Sequence, residues 1–231
     1  MLRVALVGFS LCLATAASGE ELKLDLPELG QADLGGGAGT RQGTLLAGRT
    51  LGTGHDAVFG QVGWPGLFIS YLHGASPKVD FGGTFAFTYG IEGTTNTAAG
   101  LKLAGLIRLN MMDNGKVNAG LRFDPGLTLI FAGRGGDADV GLAVPVSLAI
   151  GVDLADALEL NFGISMPMTI FFTHGTYFSW PILPGFGLQY DLDPHLAFTF
   201  DTGFGPDIII GGGGAGTFFA FKTLFGVGYR L

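Results

Sequence analysis

The sequence predicts an all-β fold: an antiparallel up-and-down transmembrane β-barrel of about ten strands, within a range of roughly eight to twelve. Three observations predict it. First, apolar residues alternate with polar or small ones along most of the chain. In 79–92, Val79, Phe81, Phe85, Phe87, Tyr89 and Ile91 share one parity, and Asp80, Gly82, Thr84, Ala86, Thr88, Gly90 and Glu92 share the other. Side chains of a strand point to its two faces in turn, so such a segment has one apolar and one wetter face. Second, charged residues make up 13% of the chain and hydrophobic ones 48%, with a mean hydropathy of +0.46. That charged share is about half the usual value for a soluble domain. Third, no uninterrupted apolar run reaches the roughly 20 residues of a helical span. The longest candidates, 140–152 and 208–220, are broken by proline or glycine. A chain without spanning helices satisfies its backbone in lipid only as a closed barrel.

The N-terminus has the features of an export signal. Arg3 is a minimal basic region, 4–14 an apolar stretch and Ala14-Thr15-Ala16 a small-residue cleavage site. The expectation is a signal peptide over 1–18, a flexible acidic and glycine-rich periplasmic segment over 19–42, and the barrel over 43–231. Cys12 lies inside the apolar stretch and is preceded by Leu11 where a lipoprotein signal has a small residue. A cleaved chain therefore has no cysteine and no disulfide. Within 19–42, Leu22-Lys23-Leu24-Asp25-Leu26 reads as a short strand.

The first two barrel strands are expected at 44–52, which is weakly patterned, and 62–73, which is apolar on both parities. Later strands are sharper. Leu101, Leu103, Ile107 and Leu109 alternate with Lys102, Ala104, Arg108 and Asn110. In 117–131 apolar residues keep odd positions while Asn118, Arg122, Asp124 and Thr128 take even ones. Alternation continues through 140–152, 158–170, 178–192, 196–204 and 219–231. Short links at 73–78, 112–115, 154–156 and 192–195 carry Asp-Asn-Gly, Ala-Asp and Asp-Pro turn chemistry and are assigned to the periplasmic side. The outer links are expected at 52–61, 93–99, 133–139, 173–176 and 207–216, none long enough for a plug or lid. The glycine run 211–214 lacks the Lys-Ser/Thr of a phosphate loop and reads as a flexible loop.

The last segment carries a recognisable mark. Phe225, Val227, Tyr229 and Leu231 alternate to the end, with glycines at 226 and 228. This resembles the C-terminal recognition strand of bacterial outer-membrane proteins, in which Leu231 replaces the usual terminal aromatic. Essentially all of the mature chain resembles the small outer-membrane barrel class, porin-like or OmpA- or OmpW-like, with no motif selecting one family. The resemblance implies the outer membrane of a Gram-negative bacterium as location, and outer-membrane lipid and the barrel-assembly machinery as partners.

The wet parity is mostly glycine and alanine with scattered charges, too few for a water-facing exterior, where roughly a quarter to a third would be charged. The apolar side therefore faces out. Tyr89, Trp180, Tyr190 and Tyr229 are expected as interfacial girdle residues. Asp80, Glu92, Lys102, Arg108, Arg122, Asp124, Glu159, Asp201, Lys222 and Arg230 are expected to face the lumen, either pairing across it or lining a narrow path. Pro145, Pro167, Pro181, Pro184 and Pro206 fall within strands, where each removes a ladder donor, so local bulges are expected there.

Net charge is −7 with 12 dispersed Lys and Arg, which gives no reason to expect nucleic acid. No His, Asp or Glu spacing suggests a metal, and no cofactor is expected. His73 and His195 fall in predicted periplasmic turns. His55-Asp56 and Thr173-His174 fall in predicted outer loops and are the only candidates for a lipid-modifying rim enzyme, without a flanking signature. The functional expectation is non-enzymatic: a narrow passive pore or a membrane-embedded structural component. The alternative is a docking subunit of an envelope-spanning machine for secretion, surface-polymer export or gliding motility.

Overall fold

The computed structural model describes residues 43–90, 97–131, 138–173, 175–211 and 214–231. The expected signal peptide, the segment 19–42, Glu92 and His174 lie outside the described residues. Fourteen strands are present: β1 (Asp56–Trp64), β2 (Gly66–Ser76), β3 (Val79–Thr88), β4 (Gly100–Asp113), β5 (Val117–Phe123), β6 (Gly126–Ile130), β7 (Asp139–Ala143), β8 (Val146–Ala155), β9 (Leu158–Met166), β10 (Thr169–Phe171), β11 (Tyr177–Pro181), β12 (Leu183–Asp191), β13 (Leu196–Gly211) and β14 (Gly214–Arg230). All pairings are antiparallel. The pairs β5–β6, β7–β8, β9–β10 and β11–β12 are each two halves of one span, which makes ten spans. β1 pairs with both β2 and β14, so the sheet is closed. The strand with the outer-membrane-like ending, β14, is the one that closes it, setting Tyr229 opposite Val58 and Phe225 opposite Val62.

Two early assignments are corrected. The first barrel strand is β1, and 44–52 belongs to no strand. The stretch 62–73 is a hairpin in which the link at Pro65 reverses parity. Val58 and Val62 point outward from β1, but Leu67, Ile69 and Tyr71 from β2. Hence one window reads as apolar on both parities. The expected outer link at 52–61 is therefore mostly β1, and the link expected at 207–216 shortens because β13 and β14 pair as far as Gly211 and Gly214.

The apolar parity is the exposed one. Leu103, Phe204 and Phe225 are 69%, 57% and 59% exposed, while Ala86, Asp80, Glu159 and Gln189 on the other parity are fully buried. Tyr89, Tyr190 and Tyr229 are also exposed on the outer face.

The strands are strongly staggered. Stepping between directly paired residues from Phe59 leads through Ser70, Thr84, Ala104, Gly126, Ala143, Thr169, Ser179 and Ile209 to Gly216. Continuing the β1–β14 register past Trp64–Thr223 sets Gly216 level with position 71, a shear of about 12. Ten spans with that shear tilt within the roughly 35–45° of closed barrels.

The prolines do not form bulges. Pairing lapses at Pro125, Pro145 and Pro167, and at Pro181 on the β9–β10 side only, since Pro181 stays paired with Asp207 on the other. The register is the same on both sides of each lapse. Ala104 faces Gly126 and Ile107 faces Phe123; Phe123 faces Val146 and Gly126 faces Ala143. Pro184 and Pro206 stay in register within ladders. The lapses lie side by side on neighbouring spans, and at them one bond of a cross-strand pair is kept while the proline omits the other. The proline carbonyls still bind: Gly105 N–H donates to Pro125 (2.8 Å), Asp124 N–H to Pro145 (3.1 Å) and Ile182 N–H to Pro206 (2.8 Å). Replacing Pro145 with Ala should therefore change stability by less than about 1 kcal/mol, since the restored N–H faces Asp124 and adds one ladder bond, while the freed φ raises the entropy of the unfolded chain. Urea unfolding of the refolded barrel measures this, and a gain above 1 kcal/mol contradicts it.

Candidate functional site

Residues 43–52, of which 44–52 were expected as the first strand, instead fill the barrel lumen at the end where the short turns lie. Almost all of them are buried, with Leu46 and Gly52 half-buried. Their backbone is held by side chains from the wall instead of a ladder. Leu45 N–H donates to Gln189 Oε1 (2.7 Å), Gly48 and Arg49 N–H both donate to Asn118 Oδ1 (2.8 and 3.1 Å), and Leu51 N–H donates to Asp80 Oδ1 (3.1 Å). In return, Arg108 donates to the Thr44 carbonyl, Asn110 Nδ2 to that of Gly48 (2.9 Å) and Arg230 Nε to that of Gly43 (3.1 Å). These partners come from β3, β4, β5, β12 and β14, around the whole barrel, which only a segment inside it can reach.

Arg49 is the clamp. Its Nε donates to Asp113 Oδ2 (2.9 Å), and its Nη2 to Asp153 Oδ2 (3.1 Å) and the Gly115 carbonyl (3.1 Å). Burial works against the guanidinium charge, yet hydrogen bonds and charge from Asp113 and Asp153 hold its pKa above the usual arginine value. On the apolar side, Leu45 and Leu51 join Ala57, Phe59, Leu72, Leu106 and Ala197 in one buried cluster.

The inward glycines that leave room in the lumen are partly the seat of this plug. A Cβ on Gly120 falls 2.5 Å from Gly48 Cα, and one on Gly151 falls 2.8 Å from the Ala47 methyl. Substituting Gly120→Val should unseat the plug and cost about 1–3 kcal/mol by overpacking. Trypsin reads the result, because Arg49 is a cleavage point shielded in the native barrel; unchanged resistance at Arg49 contradicts the assignment.

The inward charges pair along the wall, and not across the lumen. Arg108, 3% exposed, meets the fully buried Asp80 on the neighbouring strand (Nε–Oδ2 2.8 Å). Arg122 meets Asp124 on its own span (2.8 Å), Lys222 meets Asp201 on the adjacent strand, and Arg230 meets Asp191 (2.8 Å). Glu159 accepts from Asn118 Nδ2 (3.0 Å), and Lys102 is buried nearer the loop end. Arg49, from inside the lumen, bridges β4 and β8, the two strands that flank β5. The sequence reading missed Arg49, Asp113, Asp153, Asn118, Gln189 and Asp191 as site residues. The usable signal was a cation in a weakly patterned stretch punctuated by glycines 43, 48 and 52.

Above Leu46 the lumen keeps a cavity of about 130 Å³, with Gln61, Arg122, Asn161, Ser165 and Lys222 among its lining. Phe68, Ala86 and Leu224 form an apolar layer beside it.

The rim-enzyme candidate fares differently from its expectation. His55 lies at the short-turn end, where its carbonyl accepts from Gly74 N–H (2.8 Å), and not in an outer loop. Asp56 binds the Tyr71 hydroxyl (2.6 Å) and His73 Nδ1 (2.7 Å), tying β1 to β2. His195 is in the β12–β13 turn, its Nδ1 2.9 Å from the Arg230 carbonyl. Among the described residues no group of three His, Cys, Asp or Glu could hold a metal. No protein-family model matches the chain, and comparison with curated proteins gives no match.

Proposed function

We propose that this chain is a non-enzymatic integral outer-membrane barrel, exported across the inner membrane of a Gram-negative bacterium, that serves as a closed structural element instead of an open pore. The observation that carries the reading is the lumen filled by residues 43–52. Membrane insertion is supported by the exterior, whose exposed leucine, valine and phenylalanine side chains form a surface far larger than the few hundred Å² a soluble monomer leaves open. It is also supported by length. β1 has nine residues and at the barrel's tilt rises about 22 Å, close to the roughly 25 Å apolar band of such barrels.

An anchoring role in an envelope-spanning assembly is a second reading, favoured by one observation. Gly43 sits against Arg230 at the short-turn end, so the acidic segment 19–42 joins the barrel directly through its plug. Pull-downs with and without 19–42 test it: loss of envelope partners on deletion supports anchoring. For the first reading, the mature chain in planar bilayers should give no stable conductance steps. Steady channels from the intact chain overturn it.

A further inference from the structure

We propose that the cavity above the plug is a binding chamber for a small neutral polar solute, of the polyol or simple amide class. Its volume of about 130 Å³ is room for a guest that displaces about four waters. Leu46 of the plug lies among its walls with the apolar Leu183 and Leu224, so the plug bounds the chamber on one side.

Two side chains ask for a guest. Asn161, 5% exposed, has neither its Nδ2 nor its Oδ1 hydrogen-bonded, and Gln61, 7% exposed, has an unpartnered Nε2. Both line the chamber. Asn161 reaches it from β9 and Gln61 from β1, well separated around the ten spans. A buried amide left unbonded costs about 1–3 kcal/mol, so the pocket is built to have both donors and acceptors answered from inside.

The charges set the class of guest. Arg122 on β5 is neutralised by Asp124, and Lys222 on β14 by Asp201. β5 and β14 stand on opposite sides of the barrel, five spans apart. The chamber therefore offers no uncompensated charge, and a net-charged guest would be desolvated without a partner. A neutral molecule carrying both hydroxyl or N–H donors and oxygen acceptors matches Asn161, which presents one of each.

The test uses the full mature chain refolded in detergent micelles, with its side-chain amides isotope-labelled and observed by NMR. Titration with glycerol, and separately with urea, should give saturable shifts of the Asn161 and Gln61 amide signals. Sodium acetate and ammonium chloride should give none. Ala149→Leu fills the chamber from β8, the strand beside that of Asn161, and should weaken the glycerol response at least about tenfold. If that variant does not fold, Ser165→Leu serves the same purpose. Asn161→Leu should abolish the Gln61 response while leaving the barrel folded, because removing an unsatisfied amide costs little. Linear, non-saturating shifts, a response unchanged by the filling variants, or a preference for acetate or ammonium would each overturn the proposal. Saturable shifts by neither glycerol nor urea would mean that the chamber holds water alone, and would also overturn it.

Discussion

Deleting residues 43–52 should turn a silent barrel into a conducting one. The wall does not need the plug to close, since β1 and β14 are joined by eight directly opposed pairs from Ala57–Arg230 to Trp64–Thr223. The inward charges also keep their partners, because Asp80–Arg108, Arg122–Asp124 and Asp201–Lys222 are pairs within the wall. What the deletion removes is the material between them. Arg49→Ala should give a milder form of the same effect. It breaks hydrogen bonds to two carboxylates, of which Asp113 is one-third exposed and screened by water. A loss of about 2 kcal/mol raises the unseated population about 30-fold. Planar-bilayer recordings should show resolved steps for the deletion and brief flickers for Arg49→Ala. If both variants stay as silent as the parent chain, residues 43–52 are not what closes the lumen.

The largest stability effect is expected from Asp80→Ala. Asp80 is fully buried, holds the nearly buried Arg108 and accepts the plug's Leu51 N–H. Its removal leaves a guanidinium without a counter-charge in a closed interior and loosens the plug at once. The cost should be about 3–5 kcal/mol, read as a lower urea midpoint by fluorescence of Trp64 and Trp180. The double variant Asp80→Leu with Arg108→Met should recover the part of that loss that comes from the unpaired charge, because it removes both charges and keeps comparable volume. The plug's Leu51 N–H and Thr44 carbonyl still lose these partners. An Asp80→Ala variant within 1 kcal/mol of the parent would falsify the pair's structural role.

Much of this was legible in the sequence, and the parts that were not share physical causes. The later spans were readable because one face is exposed and the other buried, which writes period two into the residues. The plug has no exposed face. Both its sides touch wall side chains, and its backbone is satisfied by Asn118, Gln189 and Asp80 instead of a neighbouring strand, so no periodicity marks it. The inward parity of Asp80, Arg108, Glu159 and Arg230 was visible, but their partners were not. Partners depend on register, and Asp113 reads as part of a turn while Asp153 and Asp191 stand at strand ends beside one. The prolines misled for a related reason. One strand's alternation cannot show that the ladder lapses at the same level on the adjacent strand, as it does at Val144-Pro145 beside Asp124-Pro125.

The bond from Arg230 to the carbonyl of Gly43 has a consequence for biogenesis. It ties β14, the strand that closes the sheet against β1, to the start of the plug 187 positions earlier in the sequence. Damage to β14 therefore loses the β1–β14 closure and the latch on the plug together. Sealing the wall and seating the plug are one event.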